Sequence, residues 1–281
     1  MQNEELTLFR DMARRAMEQE IAPHFEAWEA AHALPRELWN TLGAAGLLCP
    51  DMPEEYGAAG ADPQVTFAIL EEMSRMGFGG IATGYSIHSN IVAPYINNFG
   101  TEEQKNHWLP RMVSGEVLGA LAMTEPGAGS DVQSIRTNAV RDGDEWVLNG
   151  SKIFITNGML AELVIVAAIT DPGKGAKGTS LFLVDASLPG FERGKKIEKL
   201  GQHTSDTAEL FFQDVRLPAN ALLGEENKGF VIMMTELPRE RLGIAAQAVA
   251  AAEGALELTV NYVLERKAFG QTIASFQNTR F

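Results

Sequence analysis

Cysteine is almost missing from this sequence. Among 281 residues only Cys49 carries a thiol, which excludes an internal disulfide and a cysteine-built zinc site. Histidine is scarce and scattered, at positions 24, 32, 88, 107 and 203, so no metal-ligating constellation is visible and no metal is expected. Basic residues are outnumbered, 23 Lys and Arg against 37 Asp and Glu, for a net charge of −14 and a pI near 4.8. That balance argues against nucleic acid as a main partner, because counterion release needs clustered cations. A small anionic ligand needs only a few local donors and stays open. Runs of roughly 18 or more apolar residues, the length needed to span a bilayer, are also missing. The first residues, M-Q-N-E-E-L-T-L-F-R-D-M, are acidic and amphipathic, unlike a secretory signal or an Arg-rich transit peptide. The expected setting is cytoplasmic or, after processing, matrix-like.

What remains is ordinary globular material, 45% hydrophobic and 21% charged, with room for two or three domains and a sizeable core. The first part reads as helices. Residues 4–20 place Leu6, Phe9, Met12, Ala16 and Met17 on one face. Helical segments follow at 35–48, 62–76 and 81–97, and T-E-E-Q at Thr101–Gln104 is a capping box opening a helix over 102–112. Near Gly115 the period changes. W-V-L-N-G, K-I-F-I-T-N-G, L-V-I-V-A-A-I, T-S-L-F-L-V and A-E-L-F-F-Q-D-V-R-L are short β-rich runs, separated by D-G-D, N-G, D-P-G-K-G and N-K-G. No helix-length segment lies between them, so an antiparallel, barrel-like β domain is expected rather than a parallel sheet. From Lys228 the helical period returns. Leu242, Ala245, Val249, Ala252, Leu256, Val260 and Val263 form the stripe of a long packed helix, bent near Pro238. A second helix is expected to begin near Ile273. The fold class is therefore α+β: an N-terminal helical domain over 1–115, a β domain over 116–225, and the start of a C-terminal helical bundle over 226–281.

One loop needs a ligand to explain it. T-E-P-G-A-G-S-D, Thr124 to Asp131, follows the apolar run L-G-A-L-A-M. It is neither a G-x-G-x-x-G loop, since Val132 stands where a third glycine would be, nor a P-loop. On the residues alone it marks close backbone approach to something, or a structural turn.

Helices, a small β domain and helices again, with T-E-P-G-A-G-S-D opening the middle part, resemble the acyl-CoA dehydrogenase flavoproteins. K-I-F-I-T-N-G (152–158) looks like the family's flavin-facing strand, and E-L-P-R-E-R-L (236–242) resembles its long-chain and isovaleryl branches. E-R-K-A-F-G-Q, with Gln277 beyond it, resembles the segment that reaches a neighbouring subunit's flavin. The likeness covers the whole chain, although family members continue for several more helices, so much of the C-terminal bundle is expected to be missing.

The resemblance implies FAD-dependent α,β-dehydrogenation of medium- to long-chain or branched acyl-CoA thioesters. It implies electron-transfer flavoprotein as acceptor and a homodimer or homotetramer. Glu240, immediately before Arg241, is the implied base that removes the α-proton; on the residues alone a solvated carboxylate following Pro238 is the favoured reading, which the resemblance reverses. Glu236 competes, one helical turn earlier. For the cofactor, the resemblance implies Leu121, Met123, Thr124, Gly127, Gly129 and Ser130 along the loop, with Phe154, Ile155 and Thr156 on the strand. Arg266 and Gln277 would come from a partner subunit. For the substrate it implies Ser130, Gly178, Thr179, Val231 and Arg241, with residues 83–92 lining the acyl tail. Strand-core and ion-pair readings of Phe154, Thr156 and Arg266 stay open on the residues alone. Two other functions also remain: a flavin oxidase or monooxygenase of the same fold, and a shortened non-catalytic assembly subunit.

Overall fold

The computed structural model describes residues 3–281, with side chains from Leu6 onward. Met1 and Gln2, at the head of the expected first domain, lie outside the described residues. Seven helices come first: α1 (Asn3–Glu20), α2 (Phe25–Ala31), α3 (Glu37–Ala44), α4 (Gln64–Arg75), α5 (Gly79–Tyr85), α6 (Ala93–Phe99) and α7 (Glu102–Val113). The single apolar helix read over 81–97 is three joined pieces. A π-helical stretch, Ser86–Val92, separates α5 from α6 and turns the polar His88, Ser89 and Asn90 into the interior. The capping box is present as read. Thr101 Oγ1 accepts from the Gln104 N–H at 3.2 Å, and Gln104 Oε1 accepts from the Thr101 N–H at 2.9 Å. Gln104 then donates to the carbonyls of Asn220 and Leu222, tying α7 to the β region.

Eight strands form one sheet: β1 (Gly119–Ala122), β2 (Asn138–Asp142), β3 (Glu145–Thr156), β4 (Leu163–Ile169), β5 (Thr179–Asp185), β6 (Phe191–Lys196), β7 (Thr207–Pro218) and β8 (Leu222–Leu223). Their order is β6-β7-β3-β2-β4-β5-β8, with β1 against β4, and the sheet does not close into a barrel. It is also not wholly antiparallel, because β1 runs parallel to β4 from Gly119↔Leu163 to Ala122↔Val166. The crossover between them carries the β2–β3 hairpin, so the expectation that a parallel pair needs a connecting helix did not hold. Asn149-Gly150, read as a turn, lies inside continuous β3 as a bulge against β7. Asn157-Gly158 makes a turn, yet β3 pairs with β2 and β7 rather than with β4.

Strand β4 explains how the two regions share a core. Leu163, Ile165 and Ala167 face the helical core, whereas Val164, Val166 and Ala168 face the β core. A strand buried on both faces reads as an unbroken apolar run, as L-V-I-V-A-A-I does.

The chain ends with α8 (Gly229–Glu265), a two-residue hairpin β9–β10 (Lys267–Ala268 and Gln271–Thr272), a 3₁₀ turn at Ile273–Ser275 and the short α9 (Gln277–Arg280). Helix α8 passes unbroken through Pro238. Its stripe differs from the one read off the sequence. Leu242, Val249, Leu256 and Val260 are exposed, and the inward face is Gly229, Ile232, Met233, Glu236, Glu240, Gly243, Ala250 and Gly254. Small residues on that face let α8 lie close on its neighbours: a Cβ on Gly254 would sit 2.0 Å from the Arg75 carbonyl oxygen, and one on Gly243 would sit 2.6 Å from Asn90 Nδ2. Spacing alone cannot choose between two apolar stripes when one of them is built from glycine and alanine.

Candidate functional site

Strand β1 runs into the Thr124–Asp131 loop, and a side chain fixes the loop's shape. Residues 125 and 128 exchange both backbone bonds at 3.0 Å, which makes a tight turn. Ile153 N–H donates to the Thr124 carbonyl at 3.0 Å, joining the loop to β3. Beneath the turn the Glu125 carboxylate points inward. It accepts from the Arg136 and Thr137 N–H groups at 2.7 and 2.9 Å and from Lys152 Nζ at 2.9 Å. Lys152, only 1% exposed, also donates to the Met123 carbonyl at 2.9 Å. Burial pulls its ammonium down to about 8, against the Glu125 carboxylate that pulls it up. Burial pushes the Glu125 carboxyl upward, but Lys152 and the donated hydrogen bonds outweigh it, leaving the group below its ordinary value. The two partners differ because Glu125 keeps two backbone donors, while most of the Lys152 cation's compensation comes from one charge. This ion pair was missed in reading the sequence. A signal was there: Lys152 falls on the inward side of β3 with Trp146 and Leu148, and a buried lysine requires a buried acceptor.

The outer side of the loop is open. A Cβ added to Gly127 or Gly129 would meet nothing within 4 Å. Opposite, a second irregularity in β3 falls between Lys152 and Ile155. Phe154 there adopts the left-handed conformation, φ 60°, and its side chain stands 60% exposed while Ile155 is turned into the core. An aromatic residue in that conformation costs roughly 1–3 kcal/mol, a strain found mainly at functional sites. Leu121, Met123, Thr124 and Thr156 are half-buried, and Ser130 is exposed. Open space beside two glycines, an outward aromatic ring and half-buried β-edge backbone together suit a flat, polar-edged ring system such as FAD.

Glu240 belongs to the inward face of α8. It is 7% exposed and accepts a hydrogen bond from the Tyr95 hydroxyl at 2.9 Å. Glu236, one turn earlier and equally buried, accepts from Asn98 Nδ2 at 2.8 Å. The Glu240 carboxyl is raised above its ordinary value, first by burial and then by the nearby Glu236 charge, against the Tyr95 hydrogen bond and Arg241. Arg241 is exposed, and no bond joins it to Glu240. Arg239 is held elsewhere, donating to Asp51 at 2.6 Å and to Asn90 at 3.1 Å. The result is a buried carboxylate with a neutral donor, raised proton affinity and, among the described residues, no bonded cation. Those are the properties a general base needs.

Other expected residues fall differently. Gly178 and Thr179 are buried; the Gly178 carbonyl accepts from the Thr170 and Asp171 N–H groups, and Thr179 is 2% exposed. Neither offers side-chain surface to a ligand. Val231 is exposed on the first turn of α8. Arg266, exposed, follows the end of α8. It lies 26 residues beyond Glu240, roughly 39 Å along a helix rising about 1.5 Å per residue. Gln277, also exposed, opens α9. At that separation Arg266 does not share a site with Glu240 of the same chain. Residues 83–92 are more polar than an acyl-tail lining. Ser89 accepts from the Cys49 N–H, and His88 bridges the Met112 carbonyl and the Gly119 N–H. Among the described residues no His, Cys, Asp and Glu grouping could hold a metal, and no helix is long and apolar enough to cross a membrane.

Comparison with known proteins gives three consecutive matches: acyl-CoA dehydrogenase N-terminal domain at residues 3–116, middle domain at 120–215 and C-terminal domain at 227–281. The long-chain specific acyl-CoA dehydrogenase of mitochondria from Sus scrofa is 51% identical over 275 residues, 97% of this chain and 64% of the relative. The chain thus spans a little under two thirds of that relative's length. A crystal structure of acyl-CoA dehydrogenase from Geobacillus kaustophilus superposes with a TM-score of 0.95 at 47% identity, covering 100% of this chain and 74% of that one. A glutaryl-CoA dehydrogenase from Mycobacterium smegmatis, solved in complex with FADH2, gives 0.91 at 34% identity, covering 99% and 70%.

Proposed function

The chain belongs to the acyl-CoA dehydrogenase family, and from that premise we propose that it serves FAD-dependent α,β-dehydrogenation of an acyl-CoA thioester. The observation that carries the reading is the buried Glu240 carboxylate, bonded to a neutral phenol and, among the described residues, to no cation. An α-proton of a thioester is weakly acidic, so its removal needs a base of raised proton affinity in a dry site. Glu240 takes that proton. Bound FAD would accept the β-hydrogen as hydride. Leu121, Met123, Thr124, Gly127, Gly129 and Ser130 would hold the cofactor from the loop, and Phe154, Ile155 and Thr156 from β3. Arg266 and Gln277 would serve the site of a second copy, which fits the distance of Arg266 from Glu240, so a homodimer or homotetramer goes with this reading. Ser130, Val231 and Arg241 have the exposure to meet the CoA thioester; Gly178 and Thr179 would contribute backbone only.

Within the medium-to-long or branched range, the long-chain specific name of the relative from Sus scrofa supports long acyl chains, and electron-transfer flavoprotein is the proposed acceptor. A cytoplasmic or matrix-like setting accompanies the proposal. Replacing Glu240 by Gln removes the base while keeping the shape and the acceptor oxygen. Enoyl-CoA formation should fall by at least about a thousandfold, the scale on which general bases act, with flavin absorbance retained. Full turnover of the variant would sink the assignment.

A further inference from the structure

Helices α6 and α8 meet through two side-chain pairs in antiparallel register. Tyr95 reaches Glu240 and Asn98 reaches Glu236, so three residues forward on one helix correspond to four backward on the other. Both donors are uncharged. Two buried acids four apart on one helix repel each other when both are ionised, yet among the described residues neither has a bonded cation. The detail that matters is which oxygen is used. The Tyr95 hydroxyl donates to Oε1 of Glu240, and among the described residues no hydrogen bond reaches Oε2.

We propose that Tyr95 is the positioning residue for the Glu240 carboxylate: its hydroxyl tethers one oxygen and leaves the other aimed and free to accept a proton. This rests on the reading of Glu240 as the base. Tyr95 is fully buried and remains protonated, because burial and two neighbouring carboxylates oppose its ionisation. It can therefore only donate to the carboxylate. The tether restricts carboxylate rotation, which a free glutamate would lose on reaction, and it favours the ionised base at neutral pH. Glu236 acts in the opposite sense through its charge. Arg241 lies next in sequence and solvent-exposed, while Arg239 is occupied by Asp51.

Two neighbours with opposite influence give a test that a merely structural role would not pass. The Glu240 carboxyl is titrated by 13C NMR in the parent chain, in Tyr95→Phe and in Glu236→Gln, with Glu240→Gln identifying its resonance. In parallel, kcat/KM is measured against pH on the flavin-loaded chain. Tyr95→Phe should move the Glu240 titration and the acid limb of kcat/KM up by about one pH unit, the size of a charge-assisted hydrogen bond. Well below the midpoint of the parent's acid limb kcat/KM should fall about tenfold, and it should recover at high pH. Glu236→Gln should move both downward. A Tyr95→Phe carboxyl that titrates as in the parent overturns the proposal, as does a uniform fall in kcat at every pH. If Tyr95→Phe fails to fold, the parent chain decides: an NMR cross-peak between a slowly exchanging Tyr95 hydroxyl proton and the Glu240 side chain supports the tether, and its absence overturns it. The base assignment fails separately, when Glu240→Gln stays active while the NMR shifts appear as expected.

Discussion

Lysine 152 lets the energetics of the ligand loop be tested without any ligand. Its Nζ lies 2.9 Å from Glu125 Oε1 and 2.9 Å from the Met123 carbonyl, with the lysine side chain fully out of solvent. At an effective dielectric constant of roughly 20 the gross attraction at this distance is about 6 kcal/mol, and desolvation of both ions offsets most of it. Removing one partner is the costly change. In Lys152→Met, Glu125 would remain buried with only the Arg136 and Thr137 N–H groups, and the Met123 carbonyl would lose its donor. The expected loss is about 3–5 kcal/mol. For a chain of this size that lowers Tm by on the order of 10 °C. Adding Glu125→Gln to this background leaves no stranded charge, but its one amide oxygen replaces only one of the two carboxylate oxygens that the Arg136 and Thr137 N–H groups use, so the double variant should recover part of the loss. Thermal and urea unfolding of the parent, the two single variants and the double variant complete the cycle. A Lys152→Met chain within about 1 kcal/mol of the parent, or a double variant weaker than the single, would refute the argument.

Acid should weaken the helical region through His88. Burial pulls its ring down to about 4, although the Met112 carbonyl favours the charged form, so between 6.5 and 4 the unfolded chain binds a proton that the folded chain refuses. Stability contributed by this residue is complete above pH 6.5 and falls by about 3 kcal/mol as pH drops to 4; His88→Gln should flatten that part of a urea-unfolding pH series, and an unchanged slope would count against it. Gly254→Ala should destabilise by about 1–3 kcal/mol, because its Cβ would strike the Arg75 carbonyl. A gain of up to about 1 kcal/mol, as for an open helix position, would mean α8 does not lie that close to α4.

The sequence signals differ in how local they are. The Thr101–Gln104 box was readable because its partners sit three residues apart and the bonds are made within one turn. The β runs were readable from their composition, whereas the burial of L-V-I-V-A-A-I on both faces emerged only in the fold. Parallel pairing of β1 with β4 was not readable, since it joins residues 44 apart, Gly119 to Leu163. The stripe on α8 misled because hydrophobicity is a weak guide when close approach is achieved by Gly243, Ala250 and Gly254. Glu240 was legible as a residue, but Tyr95, 145 positions away, was not. Buried polar pairs of this kind have no periodic signature, and only the lone polar residue in an apolar setting hints at them.

The loop over Thr124–Asp131 divides its residues into two populations. Glu125 and Ala128 face inward and carry the shape, while Pro126, Gly127, Gly129 and Ser130 face outward and touch little of the protein. Sequence drift at the outward positions would leave the fold's stability unchanged and alter only what the loop can receive. Drift at the inward ones would be removed as misfolding before any effect on ligand choice could be seen. The scaffold can therefore acquire new ligand preferences one outward side chain at a time, with Glu125 and Lys152 as the fixed cost of keeping the loop in shape.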